Sequence, residues 1–254
     1  MKVRILGSGT STGVPEVGCS CQVCTSDDAR DHRLRTSVLV YTEDARILLD
    51  CGPDFRQQML SVQPFESIDG VLISHEHYDH VGGLDDLRPF SRSGEIPLYC
   101  DAYTADHLRQ RIPYCFAEHK YPGVPRIFLQ EICAGKPFFI KHTEVLPIQV
   151  FHGRLPILGY RIGRRFAYIT DMLTMPEESF KMLQGVEVLV LNALRKEPHA
   201  THQCLEEALQ TAARIGARQT YLIHMSHHAG LHAVLMRELP AGVSLAYDGL
   251  EILF

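Results

Sequence analysis

Gly70-Val71-Leu72-Ile73-Ser74-His75-Glu76-His77-Tyr78-Asp79-His80 is the stretch from which the rest of the chain can be placed. Val71 to Ile73 read as a short buried strand, so the polar run begins where a strand has ended and the backbone turns into a loop. Loops held at the end of a rigid sheet are where sites are built. In a tightly wound loop His75 and His77 can aim at one point, while Asp79 and His80 turn toward a second point close by. Imidazole nitrogen and carboxylate oxygen suit zinc, manganese or iron(II), and two ligand sets this close point to two ions rather than one. The competing reading is an exposed polar loop that happens to be rich in histidine.

Upstream of this stretch, residues 2–6 read as a first strand, followed by Gly7-Ser8-Gly9-Thr10-Ser11-Thr12-Gly13. That loop lacks the Gly-Lys-Ser/Thr ending of a phosphate cradle and no helix clearly follows it, which favours a tight connection between strands. Strands at 37–41 and 46–49 flank Glu43-Asp44 as a hairpin turn. The second of them ends in Leu48-Leu49-Asp50-Cys51-Gly52 and so puts a carboxylate at a strand end. A metal-bound His usually gives its other ring N–H to a carboxylate or carbonyl, so Asp50 is expected to support a ligand; a turn or cap role is the alternative. A short helix over 54–60 leads back to the central strand.

Downstream, a short helix near 84–90, a strand at 97–100 and a helix over 104–111, stopped before Pro113, are expected. The segment 114–135 is the least regular. Its Pro122-Gly123 and Pro125 give turns, and with His119 and Tyr121 it reads equally as a substrate-side flap or a connecting loop. Strands return at 138–140, 144–151, 158–162 and 165–170, then a helix over 176–183 and a buried strand at 186–191. A helix over 205–215, a strand at 219–223, a helix over 231–239 and strands at 244–246 and 250–253 complete the chain. Strands with a helix or two, then the same again, indicate an α+β protein with two sheets face to face and helices outside. No linker divides residues 1–254, so a single domain is expected.

Composition narrows the class. Hydrophobic residues at 45% and charged residues at 22% of 254 are close to the globular average. A formal charge of -5 gives no general attraction to a polyanion. No run is apolar and long enough to span a bilayer, and Arg4 would interrupt a signal peptide, so a cytoplasmic protein is expected. There the 8 Cys are expected to be reduced or metal-bound.

Two ions with room for chemistry need about three protein ligands each, counting any bridge. Further candidates must also stand at strand ends. His152, Asp171 and His224 do, after 144–151, 167–170 and 221–223. Singly each is an ordinary polar residue at a strand terminus; all three placed alike make a site. Gly18-Cys19-Ser20-Cys21-Gln22-Val23-Cys24 adds three thiols in a loop at about 18–25, dense enough to close around a structural zinc given one more ligand. His227, three residues past His224, is the expected fourth ligand and His228 its rival, with free thiols as the alternative.

These residues resemble the metallo-β-lactamase superfamily of binuclear hydrolases, in which such a first loop is followed in order by His, Asp and His. The resemblance spans Met1 to the C-terminal strands and implies an αββα sandwich of two mixed β-sheets flanked by helices, with the site at one edge. It implies that His75, His77 and His152 hold one divalent ion, that Asp79, His80 and His224 hold the other, and that Asp171 bridges them. Zinc, manganese or iron would serve. The exported β-lactamases commonly carry Cys where Asp171 stands, so this chain departs from that branch. The Cys loop, His224-Met225-Ser226-His227 and Tyr247-Asp248-Gly249-Leu250-Glu251-Ile252 are similar to the phosphodiesterase family of the carbon-phosphorus lyase pathway, which cleaves cyclic ribose phosphates. That likeness places the family's catalytic His at His202, just before the 205–215 helix; capping that helix is the alternative role.

A phosphodiester resists hydrolysis because its anionic oxygens repel nucleophiles and its alkoxide leaves poorly. Two ions answer both difficulties, with a hydroxide formed between them and phosphoryl oxygens lying against positive charge, while Asp79 and Asp171 offset part of that charge. His202 is expected to give the leaving oxygen its proton. The expected activity is metal-dependent hydrolysis of a small or cyclic phosphodiester. A thioesterase of the glyoxalase type is the second enzyme reading, since a thiolate leaves without a protonating His, and a non-catalytic metal-binding protein of the same fold is the third. No basic insertion is present to hold a long RNA. The expected partners are therefore a small-molecule substrate, no long nucleic acid and no membrane, with a homodimer left open.

Overall fold

Strands that are apolar on both faces need cover on both faces, and most strands of this chain are of that kind. The computed structural model describes residues 1–92 and 94–254. In chain order the elements are β1 (Lys2–Gly7), β2 (Ser37–Tyr41), β3 (Arg46–Leu49), α1 (Phe55–Leu60), β4 (Gly70–Leu72), α2 (Tyr78–Val81), β5 (Ile96–Cys100), α3 (Ala102–Arg111), α4 (Pro113–Phe116), β6 (Ile127–Glu131), β7 (Phe138–Ile140), β8 (Thr143–His152), β9 (Leu155–Ile162), β10 (Phe166–Ile169), α5 (Glu177–Met182), β11 (Val188–Asn192), α6 (Leu205–Ile215), β12 (Gln219–Ile223), α7 (His232–Leu235), β13 (Val243–Leu245) and β14 (Glu251–Leu253). They build two mixed sheets of seven strands each, ordered β14-β1-β2-β3-β4-β5-β6 and β13-β12-β11-β10-β9-β8-β7.

Alternation along each strand divides the core into three layers. Ile47 and Leu49 of β3 meet Phe166 and Tyr168 of β10 in the space between the sheets. Leu48 points the other way, to the layer under α1 and α3, and Ala167 and Ile169 point to the layer under α5 and α6. Fully burying one such aliphatic or aromatic side chain contributes about 1.5–3 kcal/mol, so a one-residue slip in any of these strands would expose a whole row. Helix α6 shows why the outer layers hold. Ala208, Ala212 and Ile215 lie on one face against the second sheet, Glu207 accepts from the Cys204 N–H at 2.8 Å, and Gly216 closes the helix at φ 73°. The αββα sandwich of two mixed sheets is the expected one. No helix among the described residues is long and apolar enough to cross a membrane.

Four local expectations change. The segment 114–135 is not an irregular connection throughout: it holds α4 and the edge strand β6, which pairs in parallel with β5 from Ile96↔Ile127 to Cys100↔Glu131. A parallel partner some thirty residues away leaves little local trace. Residues 84–87 form a 3-10 turn rather than an α-helix. The last helix is α only over His232–Leu235, because Arg237 and Glu238 donate to Val234 and Leu235 in the tighter i to i−3 pattern before Pro240 ends it. The Gly/Ser/Thr loop is not the expected tight connection between strands, because residues 8–36 intervene before β2; its first glycine instead lets two backbones approach, since a Cβ on Gly7 would stand 2.0 Å from the Arg35 carbonyl oxygen.

The N-terminal loop is locked to the C-terminal strands by a buried polar cluster. Arg33 donates to Ser8 Oγ at 2.9 Å, to the Ala246 carbonyl at 2.7 Å and to His232 Nδ1 at 3.2 Å. Asp248 accepts from Ser8 N, Ser8 Oγ and Leu34 N at 2.8, 2.8 and 2.6 Å. Because His232 Nδ1 is an acceptor its ring must be neutral, and burial together with the Arg33 and Arg30 charges pushes its pKa down from 6.5 to about 4. Burial pushes the Asp248 carboxyl the other way, up to about 6. A histidine depressed on folding contributes stability that is present above pH 6.5 and lost as pH falls toward 4, at no more than about 1.4 kcal/mol per pH unit. Replacing His232 by Gln is therefore expected to make urea-denaturation stability fall less steeply than in the parent between pH 6.5 and 4. Parallel slopes in the two proteins would show that His232 charges freely.

Candidate metal centre

The polar residues of both halves converge where the sheets end. Helix α2 is a single turn, and that winding brings Asp79 and His80 round beneath His77. The turn packs so closely on the end of β3 that a Cβ on Gly52 would stand 2.0 Å from the Asp79 carbonyl oxygen. Cys51 N–H donates to His80 O at 2.8 Å and Gly83 N–H to Cys51 O at 2.9 Å, pinning the loop to the strand end. Asp50, Asp171 and His224 all close strands at this edge with left-handed backbone, φ 58, 55 and 58°. Such conformations cost about 1–3 kcal/mol each for residues with a side chain and persist where surrounding contacts hold them.

One donor set is in full contact. His80 Nε2 lies 3.1 Å from Asp79 Oδ2 and 3.2 Å from Asp171 Oδ2, and His224 Nε2 lies 3.2 Å from Asp171 Oδ1 and 3.5 Å from Asp79 Oδ2. Donors on a tetrahedral shell around a zinc at about 2.1 Å are separated by roughly 3.4 Å, so these atoms can hold one divalent ion. His80 Nε2 is buried and makes no hydrogen bond of good geometry among the described residues, which is the state of a donor shaped for an ion rather than for a protein partner. The second set is looser. His75 Nε2 and His77 Nδ1 face each other at 2.9 Å, with ring centroids 5.6 and 5.2 Å from His152. Asp171 also groups with His152 and His202, whereas His75 and His77 do not close with His152 into one donor group; the expected second set is thus only partly assembled, with Asp171 linking its His152 to the first set. His75, Asp79, His80, Asp171 and His224 form a buried floor, while His77, His152 and His202 stand at the accessible rim.

Three of the rings are held by their other nitrogen, whereas His224 Nδ1 is buried without a hydrogen-bond partner among the described residues. Asp50 accepts from His80 Nδ1 at 2.8 Å, Ser74 Oγ meets His75 Nδ1 at 3.0 Å, and His152 Nδ1 meets the carbonyls of Asp171 and Thr201 at 2.9 and 3.1 Å. Burial first, then the charge of His80, drives the His75 pKa well below its ordinary range. Burial raises Asp79 and Asp171, but the surrounding His80 and His224 outweigh it and hold both carboxyls well below the usual carboxylate range.

The cysteine loop closes on one histidine. Cys19, Cys21 and Cys24 Sγ lie 3.2, 3.3 and 3.5 Å from His227 Nδ1, a spacing able to hold zinc. His227, not His228, is the converging ring. The Cys24 N–H, the His227 ring and the neighbouring thiols lower the Cys21 thiol to about 6, whereas burial pushes the Cys24 thiol up to about 11.

The beta-lactamase superfamily domain matches residues 45–225. The chain belongs to this superfamily. A solved structure described as a new diphosphatase from the PhnP family is 38% identical, with a TM-score of 0.91, covering 99% of this chain and 96% of that one. The resemblance to PhnP-like phosphodiesterases carried by the Cys loop and residues 224–227 is thus matched over nearly the whole length. The Octanoyltransferase of Porphyromonas gingivalis (strain ATCC BAA-308 / W83) is 47% identical over 253 residues, 99% of this chain but 51% of that protein, so the chain spans about half the length of this relative. Zn(2+)-bound PqqB from Methylobacterium extorquens, 22% identical with a TM-score of 0.81 and 100% of both chains covered, shares the fold.

Within this superfamily frame several supporting residues escaped the sequence reading. Tyr168 OH donates to Asp50 Oδ2 at 2.7 Å from the opposite sheet, and Glu16 Oε2 lies 3.3 Å from His227 Nε2, behind the cysteine cluster. Tyr168 reads only as a strand aromatic and Glu16 only as loop acid, so nothing local marks them.

Asp171→Ala is expected to lose binuclear occupancy, because no neighbour replaces a carboxylate that faces both donor sets. Elemental analysis should show a reduced active-site complement with the loop zinc retained; two retained active-site ions would refute the bridging role. Cys21→Ser is expected to remove one zinc and lower the melting temperature while the donor set around Asp171 stays loaded. His227→Ala should release the same zinc and His228→Ala should not, and the reverse order would transfer the ligand role to His228.

Proposed function

We propose that the protein is a phosphoric diester hydrolase with two divalent ions in its active site, acting on a small or cyclic phosphodiester. The observation that carries this reading is the position of His202: its Nε2 lies 3.1 Å from Asp171 Oδ1, the carboxylate between the donor residues, and its ring stacks on His224 at 5.2 Å and meets His152 edge-on at 4.5 Å. The likeness over 99% of the chain to a PhnP-family diphosphatase supports phosphorus chemistry. Divalent ions held by the floor residues would supply an activated water and a counter-charge for the phosphoryl oxygens. His75, His77 and His152 are assigned to one ion, Asp79, His80 and His224 to the other, and Asp171 to both.

The chain's own residues do the rest. Asp50, Ser74 and the carbonyls of Asp171 and Thr201 fix the tilt of the liganding rings, so the donor geometry exists before substrate arrives. The floor is buried, with His75, His80 and His224 at 1, 0 and 1% exposure, which strengthens charge interactions there. His202 stands at the rim with a side chain 12% exposed, close enough to the floor to reach a leaving oxygen and open enough to be reprotonated from solvent. Acyl transfer is named for a relative about twice as long as this chain, and a thioester would leave His202 without a task.

A turnover screen of the metal-defined protein on bis(p-nitrophenyl) phosphate, a cyclic ribose phosphate, a diphosphate diester and an octanoyl thioester tests the reading; thioester turnover alone would overturn it. His202→Ala should slow an alkyl or ribose diester by on the order of a hundredfold while costing far less with p-nitrophenyl esters, whose phenolate hardly needs a proton. Equal losses on both substrates, with metals retained, would assign His202 to positioning instead.

A further inference from the structure

His202 is itself held from behind, by a residue outside the donor sets. The loop that carries it leaves β11 and re-enters at α6, closed at its base by Leu194 N–H to Gln203 O at 3.0 Å and Leu205 N–H to Arg195 O at 2.8 Å. Arg195 props its far side by donating to the carbonyls of Glu197 and Pro198 at 3.3 and 2.9 Å. This brings His199 back over His202, Nδ1 to Nδ1 at 3.2 Å, with ring centroids 5.1 Å apart. A contact between two ring nitrogens needs one proton between them. The Thr201 N–H points at His199 Nδ1 at 3.3 Å, with Thr201 Oγ1 at the same distance, so that nitrogen is an acceptor whose single lone pair is shared, and the proton between the two rings belongs to His202.

We propose that His199 is a positioning residue for His202: its bare Nδ1 accepts the proton on His202 Nδ1 and so commits His202 Nε2 to face Asp171 and the reacting oxygen. The arrangement has the logic of a base oriented by a third group, built here from two histidines and a threonine. When His202 gives its Nε2 proton to the leaving alkoxide, the N–H bond breaks, the O–H bond forms, and the neutral ring that remains already carries its proton on Nδ1. No tautomer change is needed before the next turnover. Burial and the nearby His202 and Arg195 charges lower the His199 pKa, which keeps it neutral and able to accept. Thr201 Oγ1, at 3.0 Å from His202 Nδ1, is the competing acceptor.

The kinetic consequence rests on the phosphodiesterase reading, whereas the tautomer does not, so the test has both readouts. In long-range proton–nitrogen spectra of the zinc-loaded protein, His202 is expected to carry its proton on Nδ1, to lose that fixed tautomer in His199→Ala, and to keep it in His199→Asn, whose amide oxygen can accept in the same place. In kinetics, His199→Ala should lower kcat on an alkyl diester about tenfold with little change in KM and much less on a p-nitrophenyl ester, with His199→Asn recovering most of the loss. A parental His202 protonated on Nε2 alone, an unchanged spectrum in His199→Ala, or a larger effect from Thr201→Val than from His199→Ala would overturn the proposal. A correct tautomer in a protein that turns over no phosphodiester would support the positioning role and overturn the substrate reading.

Discussion

Asp50 has no exposure to water and accepts four hydrogen bonds: from Ser74 N–H, Ser74 Oγ, His80 Nδ1 and Tyr168 OH. The first three partners belong to the loop after β4 in one sheet, and the fourth stands on β10 of the other. A buried carboxylate is tolerable only when its lone pairs are filled, and here filling them joins the two sheets at the edge where the donor residues meet. The same contact that fixes the His80 ring therefore also ties α2, which carries Asp79, to the end of β10, beyond which Asp171 stands. Removing one partner leaves the charge buried and underbonded, a larger disturbance than the loss of a single hydrogen bond.

The parts of the site that were legible in the sequence are those whose chemistry is local. Three His and one Asp within six residues, entered from an apolar strand, announce a donor loop, and Asp50, His152, Asp171 and His224 are visible as polar residues that interrupt apolar runs at strand ends. The Cys loop is legible for the same reason of density, and its fourth partner because His227 lies so near His224. What was not legible depends on pairing across the fold. Edge strand β6 is defined by its parallel register with β5, Tyr168 matters through a carboxylate more than a hundred residues upstream, and Glu16 and His199 act behind other residues. A side chain whose role is to orient another carries no signature until the backbone has brought the two together.

The cysteine cluster and the active-site floor share one strand end. Gly9 bridges to both Arg35 and Met225, Thr10 N–H donates to Met225 O at 3.1 Å, and Met225 N–H donates to Ser8 O at 3.1 Å. His224 lies on one side of that clamp and His227 on the other. Because His224 sits in left-handed backbone at φ 58°, something must hold the chain there against its own preference. The N-terminal loop does so from one side through the Ser8 and Thr10 bonds, and from the other through the thiols that surround His227. A zinc closed by those thiols would therefore act on the chemistry at a distance, by fixing where His224 Nε2 can be, without sharing a ligand with the active-site ions. The glycines of the N-terminal loop, the three cysteines and the His224/His227 pair then answer to one mechanical requirement: an N-terminal loop that grips the end of β12 tightly enough to keep a strained donor in place.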